Sequence, residues 1–322
     1  MDSKRFHALA EQFSQKHILV MGDLMLDSYM WGQANRISPE APVPVVSVKE
    51  VTHNPGGAAN VGWNIASLSA NVNMAGVVGN DSHGEQLLTL MSARGMNVES
   101  VVRDTNRPTT VKTRVIANSQ QIVRTDFESL DELSNESLEA VQASVLKNIK
   151  DVDAIILADY NKGLFSEKII GSILSIAKEN NVPVYVDPKH DHFYLFKGVR
   201  LFKPNADEFA QAMNSANIED GGRTLQKILD VEFVLVTLGA SGMHLTIADE
   251  SIRIPTKALA VHDVSGAGDT VISVFTLADL AGATPEEAAT MANLAAGRVC
   301  EEVGVVPIDL EMLTEMLNNH RT

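Results

Sequence analysis

The chain has 322 residues, 45% of them hydrophobic and 21% charged, which is typical of a globular protein with one large or two small domains. A formal net charge of −15 and an aromatic content of 5% argue against a nucleic-acid or anionic-membrane surface, although an acidic chain can still contain a local basic pocket. A single cysteine excludes an intrachain disulfide and a cysteine-based zinc cluster, and the lack of a signal-peptide core or of about 18 uninterrupted apolar residues leads us to expect a cytoplasmic enzyme.

Apolar segments of strand length alternate with segments of helical periodicity along most of the chain. This alternation is typical of an α/β fold with a mostly parallel sheet covered by helices on both faces. The predicted buried strands are residues 18–21, 72–77, 154–157, 184–186, 201–202 and 233–237. The predicted helices are residues 58–68, 85–94, 137–149, 167–180, 222–229, 266–280 and 285–300.

Two parts of the chain interrupt this rhythm. Residues 43–48, and residues 111–116 with 121–127, alternate apolar and polar side chains, and no predicted helix separates the last two. Such alternation indicates strands with one buried and one solvent-exposed face. We predict one domain over residues 1–322 with a small β lid built from about residues 28–50 and 107–127. The exposed edges of such a lid favour a homodimer.

Polar residues follow the first predicted strand of the sheet and precede the helix predicted at residues 58–68. Asp23 and Asp27 come after residues 18–21, where open parallel sheets bind ligands, and two carboxylates suit the hydroxyls of a sugar. A metal pair is the alternative, although no third acidic residue is near. Gly56 and Gly57 let the backbone approach a ligand, and Asn60 offers a donor and an acceptor. Taken alone, the glycine pair is more typical of a turn with a helix cap.

Two later strands are also followed by polar motifs. Asn205 and Glu208 lie three residues apart at the start of a helix, so that both could organise Mg²⁺ waters or phosphate. The local pattern favours a capping box instead. Thr237, Gly239 and Gly242 follow the next strand and resemble a nucleotide-phosphate loop or a simple hairpin turn.

The most informative stretch is residues 263–270, Asp-Val-Ser-Gly-Ala-Gly-Asp-Thr, which an apolar helix follows. Gly266 and Gly268 permit a tight turn, and the free N–H groups of a helix N-terminus bind anions. Asp269 beside such a site can take the proton from a hydroxyl that attacks phosphorus. A bare Gly-x-Gly-Asp is more often a helix cap, and the rest of the chain has to decide between the two interpretations.

Other catalytic motifs are absent from the sequence. It has no Gly-x4-Gly-Lys-Ser/Thr loop, no Gly-x-Gly-x-x-Gly fingerprint, no His-Glu-x-x-His and no Gly-x-Ser-x-Gly. The nine histidines show no spacing of metal ligands, and we interpret His190 and His192 as solvated loop residues.

Residues 56–60 and 263–270, in this order, resemble the two signatures of the ribokinase-like, or PfkB, carbohydrate kinases, and the resemblance covers nearly the whole chain. It implies a three-layer α/β/α ribokinase-like fold with a central, mostly parallel sheet and a small β lid over the sugar. The resemblance implies Asp269 as catalytic base, with Asn205, Glu208, Thr237 and Gly239 near ATP and Mg²⁺. The amides implied to form the anion hole are those of Gly266, Ala267 and Gly268.

A closer resemblance is to the D-glycero-β-D-manno-heptose-7-phosphate kinases. It is carried by residues 36–45 (Arg-Ile-Ser-Pro-Glu-Ala-Pro-Val-Pro-Val), 22–27, 120–127, 158–163 and 187–189. It implies ATP- and Mg²⁺-dependent phosphorylation of heptose 7-phosphate at O1, giving the 1,7-bisphosphate in the synthesis of ADP-heptose for lipopolysaccharide. Asp187 and Lys189 are then implied substrate contacts.

Two departures from the family pattern affect what this resemblance predicts. Many heptose-7-phosphate kinases carry a C-terminal adenylyltransferase domain with a His-x-Gly-His motif, which this sequence lacks, so we expect the kinase reaction alone. Val264 and Ser265 stand where sugar kinases commonly have two threonines, and the stretch ending at Gly304 is atypical. A monovalent-cation site therefore stays an open alternative.

The predicted lid contains several cations in an otherwise acidic chain. Arg36, Lys112, Arg114 and Arg124 lie in it, and guanidinium groups bind phosphate bidentately. Lys162, near the end of a strand, is a further predicted phosphate contact. Each of these residues alone is more typical of a solvated strand face. As a group they favour a sugar that is already phosphorylated.

Two other functions remain open at this level. One is another ribokinase-like kinase, acting on fructose 1-phosphate, a nucleoside or a free sugar, which residues 36–45 and the lid cations argue against. The second is a non-catalytic sugar-binding regulator on the same fold, which the presence of Asp269 and the glycine turn argues against. A dinucleotide-binding dehydrogenase would require the glycine fingerprint that is missing.

Overall fold

A computed structural model of the chain describes residues 3–131, 133–214, 217–248, 250–256, 264–302 and 304–319. Asp263, the first residue of the predicted late motif, and Val303, in the stretch that ends at Gly304, lie outside the described residues. The helices are α1 (Ser3–Ala10), α2 (Ala58–Ser67), α3 (Ser82–Ala93), α4 (Asn135–Asn148), α5 (Glu167–Glu179), α6 (Ala206–Met213), α7 (Ile218–Leu229), α8 (Ala267–Leu280), α9 (Pro285–Val299) and α10 (Leu310–Asn319).

The strands form two sheets. They are β1 (His17–Gly22), β2 (Leu24–Ile37), β3 (Pro44–Gly57), β4 (Asn71–Gly79), β5 (Met96–Asp104), β6 (Thr110–Ala117), β7 (Gln120–Phe127), β8 (Ala154–Ala158), β9 (Val184–Asp187), β10 (Leu201–Phe202), β11 (Phe233–Thr237), β12 (Met243–Ile247) and β13 (Glu250–Ile254).

The larger sheet has the order β13-β12-β11-β10-β9-β8-β1-β4-β5. All neighbours from β11 to β5 are parallel, while β12 and β13 are added antiparallel at one edge. The central strands are apolar throughout because helices cover both of their faces. This sheet confirms the α/β fold class predicted from the alternation of strands and helices.

Helices pack on both faces of the larger sheet, which makes three layers. Along β1, Ile18 and Val20 face the core that includes α2, α8 and α9, whereas Leu19 and Met21 face the core that includes α4, α5 and α7. The alternation follows from the two-residue period of a strand. The carboxyl ends of the parallel strands therefore meet at one edge of the sheet, between the two helical layers.

The smaller sheet is built from the segments predicted to form the lid and has the order β3-β2-β6-β7; we refer to it as the lid. β2 pairs antiparallel with β3 along nearly its whole length and parallel with β6. Its first six residues are buried and its last three are exposed, because the strand leaves the body of the protein and ends in solvent. β2 and β3 extend to residues 24 and 57, well beyond the predicted segment 28–50. The lid strands thus connect directly to the predicted sugar-binding residues.

Among the described residues, none of the helices combines the length and apolar character needed to span a bilayer.

Candidate active site

The first turn of α8 begins at a glycine in the left-handed conformation. Gly266 is the N-cap residue, with φ +81°, a value that side chains disfavour. A Cβ at this position would lie 2.7 Å from Nδ2 of Asn60, so both the conformation and the space require glycine. The turn points the start of α8, with its positive dipole end, at the edge of the sheet where the strands terminate.

Asp269 lies in this first turn and is buried. Its Oδ2 accepts a hydrogen bond of 2.6 Å from Nδ2 of Asn60, and its Oδ1 accepts one from the hydroxyl of Tyr160. Burial raises the pKa of Asp269 to about 6, and the two hydrogen bonds oppose that rise. A carboxylate with this pKa can accept a proton near neutral pH, as a general base must.

Asn60 is held by a second contact between α2 and α8. The helix α2 starts after Gly57, whose φ of +57° again requires glycine. One turn after Asn60, the side chain of Asn64 donates to the Asn60 carbonyl at 2.9 Å and accepts from the Thr270 hydroxyl at 3.0 Å. Asn64 was not predicted as a site residue. The two asparagines together fix the distance between the helices that carry the glycine motifs.

A buried ion pair lies beside the start of α8. Asp187 ends β9 and Lys203 directly follows β10, and the Lys203 Nζ lies 2.9 Å from Oδ1 of Asp187. Burial raises the pKa of Asp187, while Lys203 lowers it. A Cβ on Gly268 would lie 3.5 Å from Nζ of Lys203. Lys203, which sequence reasoning did not assign to the site, therefore lies next to the predicted anion hole.

Glu208 forms the capping box that the local sequence pattern favours. It forms a capping box with Asn205, since Asn205 Oδ1 accepts from the Glu208 amide at 2.9 Å and Glu208 Oε2 accepts from the Asn205 amide at 2.8 Å. The other oxygen of Glu208 forms an ion pair with Lys189. Asn205, three residues after β10, also forms an isolated parallel bridge with Thr237 at the end of β11. Contact of these residues with Mg²⁺ or phosphate stays a prediction.

Gly239 and Gly242 lie in the turn between β11 and β12, which is an antiparallel hairpin. Both have positive φ, +54° and +89°. A Cβ on Gly242 would overlap the carbonyl oxygen of Ile254, whereas the space beside Gly239 is open. The turn is at the same edge of the sheet as Asn205. Its contact with ATP stays a prediction.

Asp23 is buried and accepts three backbone hydrogen bonds from one loop. The amides of Tyr160, Lys162 and Leu164 donate to it at 2.9, 3.1 and 3.4 Å. Burial, and then the charge of Asp159, raises the pKa of Asp23 to about 6. In the structure Asp23 therefore positions this loop, in addition to any contact with sugar hydroxyls, which stays a prediction.

The same loop carries Tyr160, a site residue that sequence reasoning missed. Its hydroxyl reaches Asp269 although the two residues are 109 positions apart in the chain. The loop is also held by Asp159, whose Oδ2 lies 2.9 Å from Nδ1 of His192. His190 is exposed, but His192 is not a solvated loop residue as interpreted, because its side chain is only 19% exposed and Asp159 raises its pKa.

Asp27 and Arg114 form a buried pair at the base of the lid. Arg114 Nη1 lies 2.5 Å from Oδ1 of Asp27, and both side chains are largely shielded from solvent. A Cβ on Gly56 would lie 2.5 Å from Oδ2 of Asp27, so the glycine makes room for this carboxylate. The structure thus brings together three of the predicted substrate-binding residues, Asp27, Gly56 and Arg114.

Three more of the predicted phosphate-binding cations are paired with carboxylates that the sequence analysis did not consider. Lys112 lies 3.4 Å from Asp126, and Arg124 contacts the same carboxylate at 3.0 Å. Lys162 Nζ lies 2.8 Å from Oε1 of Glu128. Arg36 lies apart from this group, exposed near the far end of β2 and without an ion pair to any residue that the structure describes.

The segment after α9 closes the site from the C-terminal side. The Val305 carbonyl accepts from Asn54 of β3 at 3.3 Å, and the amide of Ile308 donates to Asn64 Oδ1 at 3.1 Å. The segment therefore connects the lid to the helix pair that holds Asp269. A monovalent cation in this region stays a prediction.

The chain is similar in sequence to known carbohydrate kinases and to larger bifunctional proteins. A profile described as pfkB family carbohydrate kinase matches residues 15–311. Proteins named bifunctional protein HldE are similar over nearly the whole chain: 40% identity in Desulfatibacillum aliphaticivorans, covering 99% of this chain and 67% of that protein, and 41% in Proteus mirabilis, covering 93% and 64%. The chain spans about two thirds of the length of these relatives.

Solved structures with the same fold are more distant in sequence. The ribokinase of Arabidopsis thaliana, complexed with ribose and ATP, aligns with a TM-score of 0.71 at 21% identity and covers 94% of this chain and 98% of its own. Phosphofructokinase-2 of Escherichia coli, in complex with substrates and products, aligns with a TM-score of 0.80 at 17% identity, covering 95% and 99%. These alignments confirm the predicted ribokinase-like fold.

Proposed function

Because the chain belongs to the pfkB family of carbohydrate kinases, we propose that it transfers the γ-phosphoryl group of ATP to O1 of D-glycero-β-D-manno-heptose 7-phosphate. The product is the 1,7-bisphosphate, a cytoplasmic precursor of the ADP-heptose used for lipopolysaccharide. The single observation that carries a phosphoryl-transfer reaction is the buried Asp269 in the first turn of α8, with Asn60 and Tyr160 on its two oxygens.

In the proposed reaction Asp269 accepts the proton of O1 as this oxygen attacks phosphorus. Its raised pKa, about 6, is low enough for the carboxylate to be ionised at neutral pH and high enough for it to be an effective acceptor. The amides at the start of α8, together with Lys203, stabilise negative charge on the group in transfer. Asn60 keeps the carboxylate in one orientation.

ATP fits the edge of the sheet between Lys203 and the hairpin turn after β11. Lys189 and Glu208 lie on this side, as do Asn205 and Gly239. No group of three histidine, cysteine or acidic side chains suited to a metal is present among the described residues. Asn205 and Glu208 offer the oxygen donors that Mg²⁺ prefers, and proteins often hold this ion through one or two carboxylates and the phosphates of the nucleotide. When bound, the ion would neutralise charge on the nucleotide phosphates.

The sugar fits between the lid and the start of α2. Asp27 offers a carboxylate for hydroxyls, Gly56 and Gly57 allow the backbone to come close, and Asn60 lies next to the base. Three features support a phosphorylated heptose as the acceptor. They are the cations at the base of the lid, the resemblance of residues 36–45 and 158–163 to heptose-7-phosphate kinases, and the similarity to HldE proteins over nearly the whole chain.

We also propose that two copies of the chain associate through their lids. Most of the large hydrophobic side chains that are strongly exposed within the described residues lie on the lid. Those on the lid strands or the turn between them are Ile37, Val43, Val48, Val51, Ile122, Val123 and Phe127. A concentration of exposed apolar side chains on one sheet is typical of an interface.

The experiment that tests the reaction is a panel of free sugars and phosphosugars, each assayed for ADP release with ATP and Mg²⁺. We expect the highest kcat/KM with heptose 7-phosphate, and a product whose phosphorus NMR spectrum shows a new phosphate on the anomeric oxygen. A higher kcat/KM with fructose 1-phosphate, a nucleoside or an unphosphorylated sugar would show that the proposed acceptor is wrong and would identify that compound as the preferred one. ADP release at the background rate with every acceptor would remove the proposed activity.

A further inference from the structure

We propose that Lys112 and Lys162 form the subsite for the phosphate that the acceptor already carries, and that the carboxylate of Glu128 occupies this subsite until the acceptor displaces it. The ligand class is a phosphomonoester at the end of the sugar remote from the attacked hydroxyl. The inference rests on the proposed function and adds to it the residues that select a phosphorylated sugar.

Three side chains from different parts of the chain converge on this point. Lys112 lies on β6, Glu128 directly follows β7, and Lys162 lies in the loop after β8. Glu128 Oε1 lies 2.8 Å from Nζ of Lys162, and Oε2 lies 4.0 Å from Nζ of Lys112. The three side chains are only 16–17% exposed. Two ammonium groups thus lie beside the Glu128 carboxylate in a partly desolvated position, and the Lys112 ammonium also lies 3.4 Å from Asp126.

The Glu128 carboxylate leaves part of the hydrogen-bonding capacity of this position unused. Oε2 of Glu128 is buried and makes no hydrogen bond to any described residue, while Lys112 is beyond hydrogen-bond distance from it. A buried acceptor without a donor is costly. A phosphate has three terminal oxygens and a larger charge, so it can bond to both lysines at once. The geometry is therefore better suited to a phosphate than to Glu128.

The subsite lies on the sugar side of the base. Lys162 is two residues after Tyr160, whose hydroxyl contacts Asp269, and the amide of Lys162 donates to Asp23 at 3.1 Å. In the lid, Lys112 is paired in register with Asp27 of β2. An acceptor that contacts Asp27 and Asp269 is thus bordered by both lysines.

The second group of lysines has a different position and a different partner. Lys203 pairs with Asp187 and lies beside Gly268 at the start of α8, where the transferred group is stabilised. Lys189 pairs with Glu208 on the same side. The site therefore contains one cationic cluster for the phosphates of the donor and another for the phosphate of the acceptor. Two clusters are what a bisphosphate product requires.

The location of Glu128 also explains how an unphosphorylated sugar is disfavoured. Its contact with Lys162 joins the end of the lid sheet to the body of the protein. A phosphate in this position would bridge the lid, through Lys112, to the body, through Lys162. A neutral sugar cannot displace the carboxylate, so it leaves the Glu128 contact in place and gains nothing from the two lysines.

The test compares Glu128→Gln with Lys112→Met and Lys162→Met, using heptose 7-phosphate and unphosphorylated heptose as acceptors. For Glu128→Gln we expect the KM of heptose 7-phosphate to fall about three- to tenfold, the size of one partly shielded charge contact, with little change in kcat. Inorganic phosphate should inhibit this variant at a lower concentration than wild type. Each lysine variant should raise the KM of heptose 7-phosphate about tenfold or more and change that of heptose less than about twofold.

Glu85→Gln is the matched control, because Glu85 forms an exposed ion pair with Arg103 at 2.6 Å on another part of the surface. It should leave both KM values and phosphate inhibition unchanged. An unchanged or higher KM for heptose 7-phosphate in Glu128→Gln would overturn the inference and make Glu128 a support for the lysines. The inference would also be overturned if the lysine variants raised KM by the same factor for heptose 7-phosphate and for heptose.

Failure of the inference can be separated from failure of the proposed function. If wild type prefers a different phosphosugar, the heptose assignment is wrong, and the same variants are compared with that phosphosugar and its unphosphorylated form. If wild type phosphorylates only unphosphorylated sugars, both the proposed acceptor and the subsite are wrong. If wild type phosphorylates heptose 7-phosphate and the variants affect both acceptors to the same extent, only the subsite is wrong.

Discussion

The hydroxyl of Tyr160 donates a hydrogen bond to Oδ1 of Asp269, on the side of the carboxylate opposite the contact with Asn60. Both hydrogen bonds favour the ionised carboxylate, whereas burial favours the protonated form and dominates, so that the pKa of Asp269 is raised to about 6. The pH range in which the base is active is thus set by two donors working against desolvation.

Removal of the Tyr160 hydroxyl should move the acid limb of the pH–rate profile to higher pH. In Tyr160→Phe the ionised form loses one hydrogen bond, so the pKa of Asp269 rises further above about 6. We expect the half-maximal point of kcat/KM to shift upward by about half a unit to one unit. The measurement is kcat/KM between about pH 5 and 9, with the acceptor well below KM.

Tyr194→Phe is the control for the loss of a tyrosine hydroxyl. Tyr194 is exposed and its hydroxyl donates to the Ala212 carbonyl at 2.5 Å, away from Asp269. This variant should keep the acid limb of wild type. A Tyr160→Phe profile that coincides with wild type on the acid side would show that the limb does not report on Asp269.

Asp269→Asn should abolish most of the turnover while ATP binding remains. Loss of a general base typically costs about 10²- to 10⁴-fold in rate. The amide keeps the size of the side chain, and its oxygen can still accept from Asn60. Single-turnover ADP release and titration calorimetry with ATP measure the two quantities. A purified variant with more than about a tenth of the wild-type rate would show that Asp269 is not the base.

The same substitution should stabilise the protein at neutral pH. The pKa of Asp269 is about 6 in the folded chain against an ordinary value of 3.8, so the folded state binds the proton more tightly than the unfolded state. Its contribution to the free energy of unfolding is therefore complete below about pH 4 and is lost as the pH rises through about 6. Asp269→Asn removes this loss, and we expect it to be more stable than wild type at pH 7, with the difference shrinking toward pH 4.

Urea unfolding of both proteins at several pH values tests this expectation. Asp23, whose pKa burial also raises to about 6, gives a contribution of the same sign in both proteins and so cancels in the comparison. A difference between the two that grows as the pH falls would mean that Asp269 is not destabilised by ionisation in the folded state.

The strands of the larger sheet were predictable where both of their faces are apolar. The six strands predicted as buried are all present, because a short uninterrupted apolar run is typical of a strand that is buried on both faces. β5, β12 and β13 were not predicted. β5 and β13 are the edge strands of the sheet and carry charged residues such as Glu99 and Arg253, while polar His244 and Thr246 interrupt the apolar run of β12. The first half of β2 was missed because it is buried on both faces and does not alternate.

The active site was predictable only where a local motif carries it. Asp269, Gly266 and Asn60 belong to motifs whose residue types have a chemical reason in the sequence itself. Tyr160 and Lys203 could not be assigned, because their roles depend on contacts with residues far away in the chain. The pairing of lid cations with carboxylates depends on the register between β6 and β7, which alternation alone does not define.

The lid should hold two copies of the chain together in solution. Val48 and Val123 are 45% and 47% exposed on β3 and β7, and burial of such side chains favours association. Light scattering at micromolar concentration should give twice the mass of one chain for wild type. Val48→Asp and Val123→Asp should shift the protein toward the monomer, whereas Ile228→Asp, at an equally exposed position on α7, should not. A monomer mass for wild type would rule out the proposed dimer.

The two glycines of the α8 turn should respond differently to the addition of one methyl group. Gly266 has φ +81°, and a Cβ there would lie 2.7 Å from the Asn60 amide that contacts Asp269. Gly266→Ala should therefore lower the free energy of unfolding by about 1–2 kcal/mol or more and also reduce kcat. Gly268 is inside the helix, where a Cβ would be at ordinary contact distance, 3.5 Å, from Lys203 Nζ.

Gly268→Ala should therefore fold with at least the stability of wild type, because alanine is favoured over glycine in a helix. The added methyl group would nevertheless fill the space between the amide of residue 268 and Lys203, where the transferred phosphoryl group is proposed to lie. We expect kcat to fall about tenfold or more while the free energy of unfolding does not decrease. Urea unfolding and steady-state kinetics on the same preparations separate the two effects. Wild-type kcat in Gly268→Ala would place the transferred group elsewhere, and wild-type stability in Gly266→Ala would show that the turn can relax to accept a side chain.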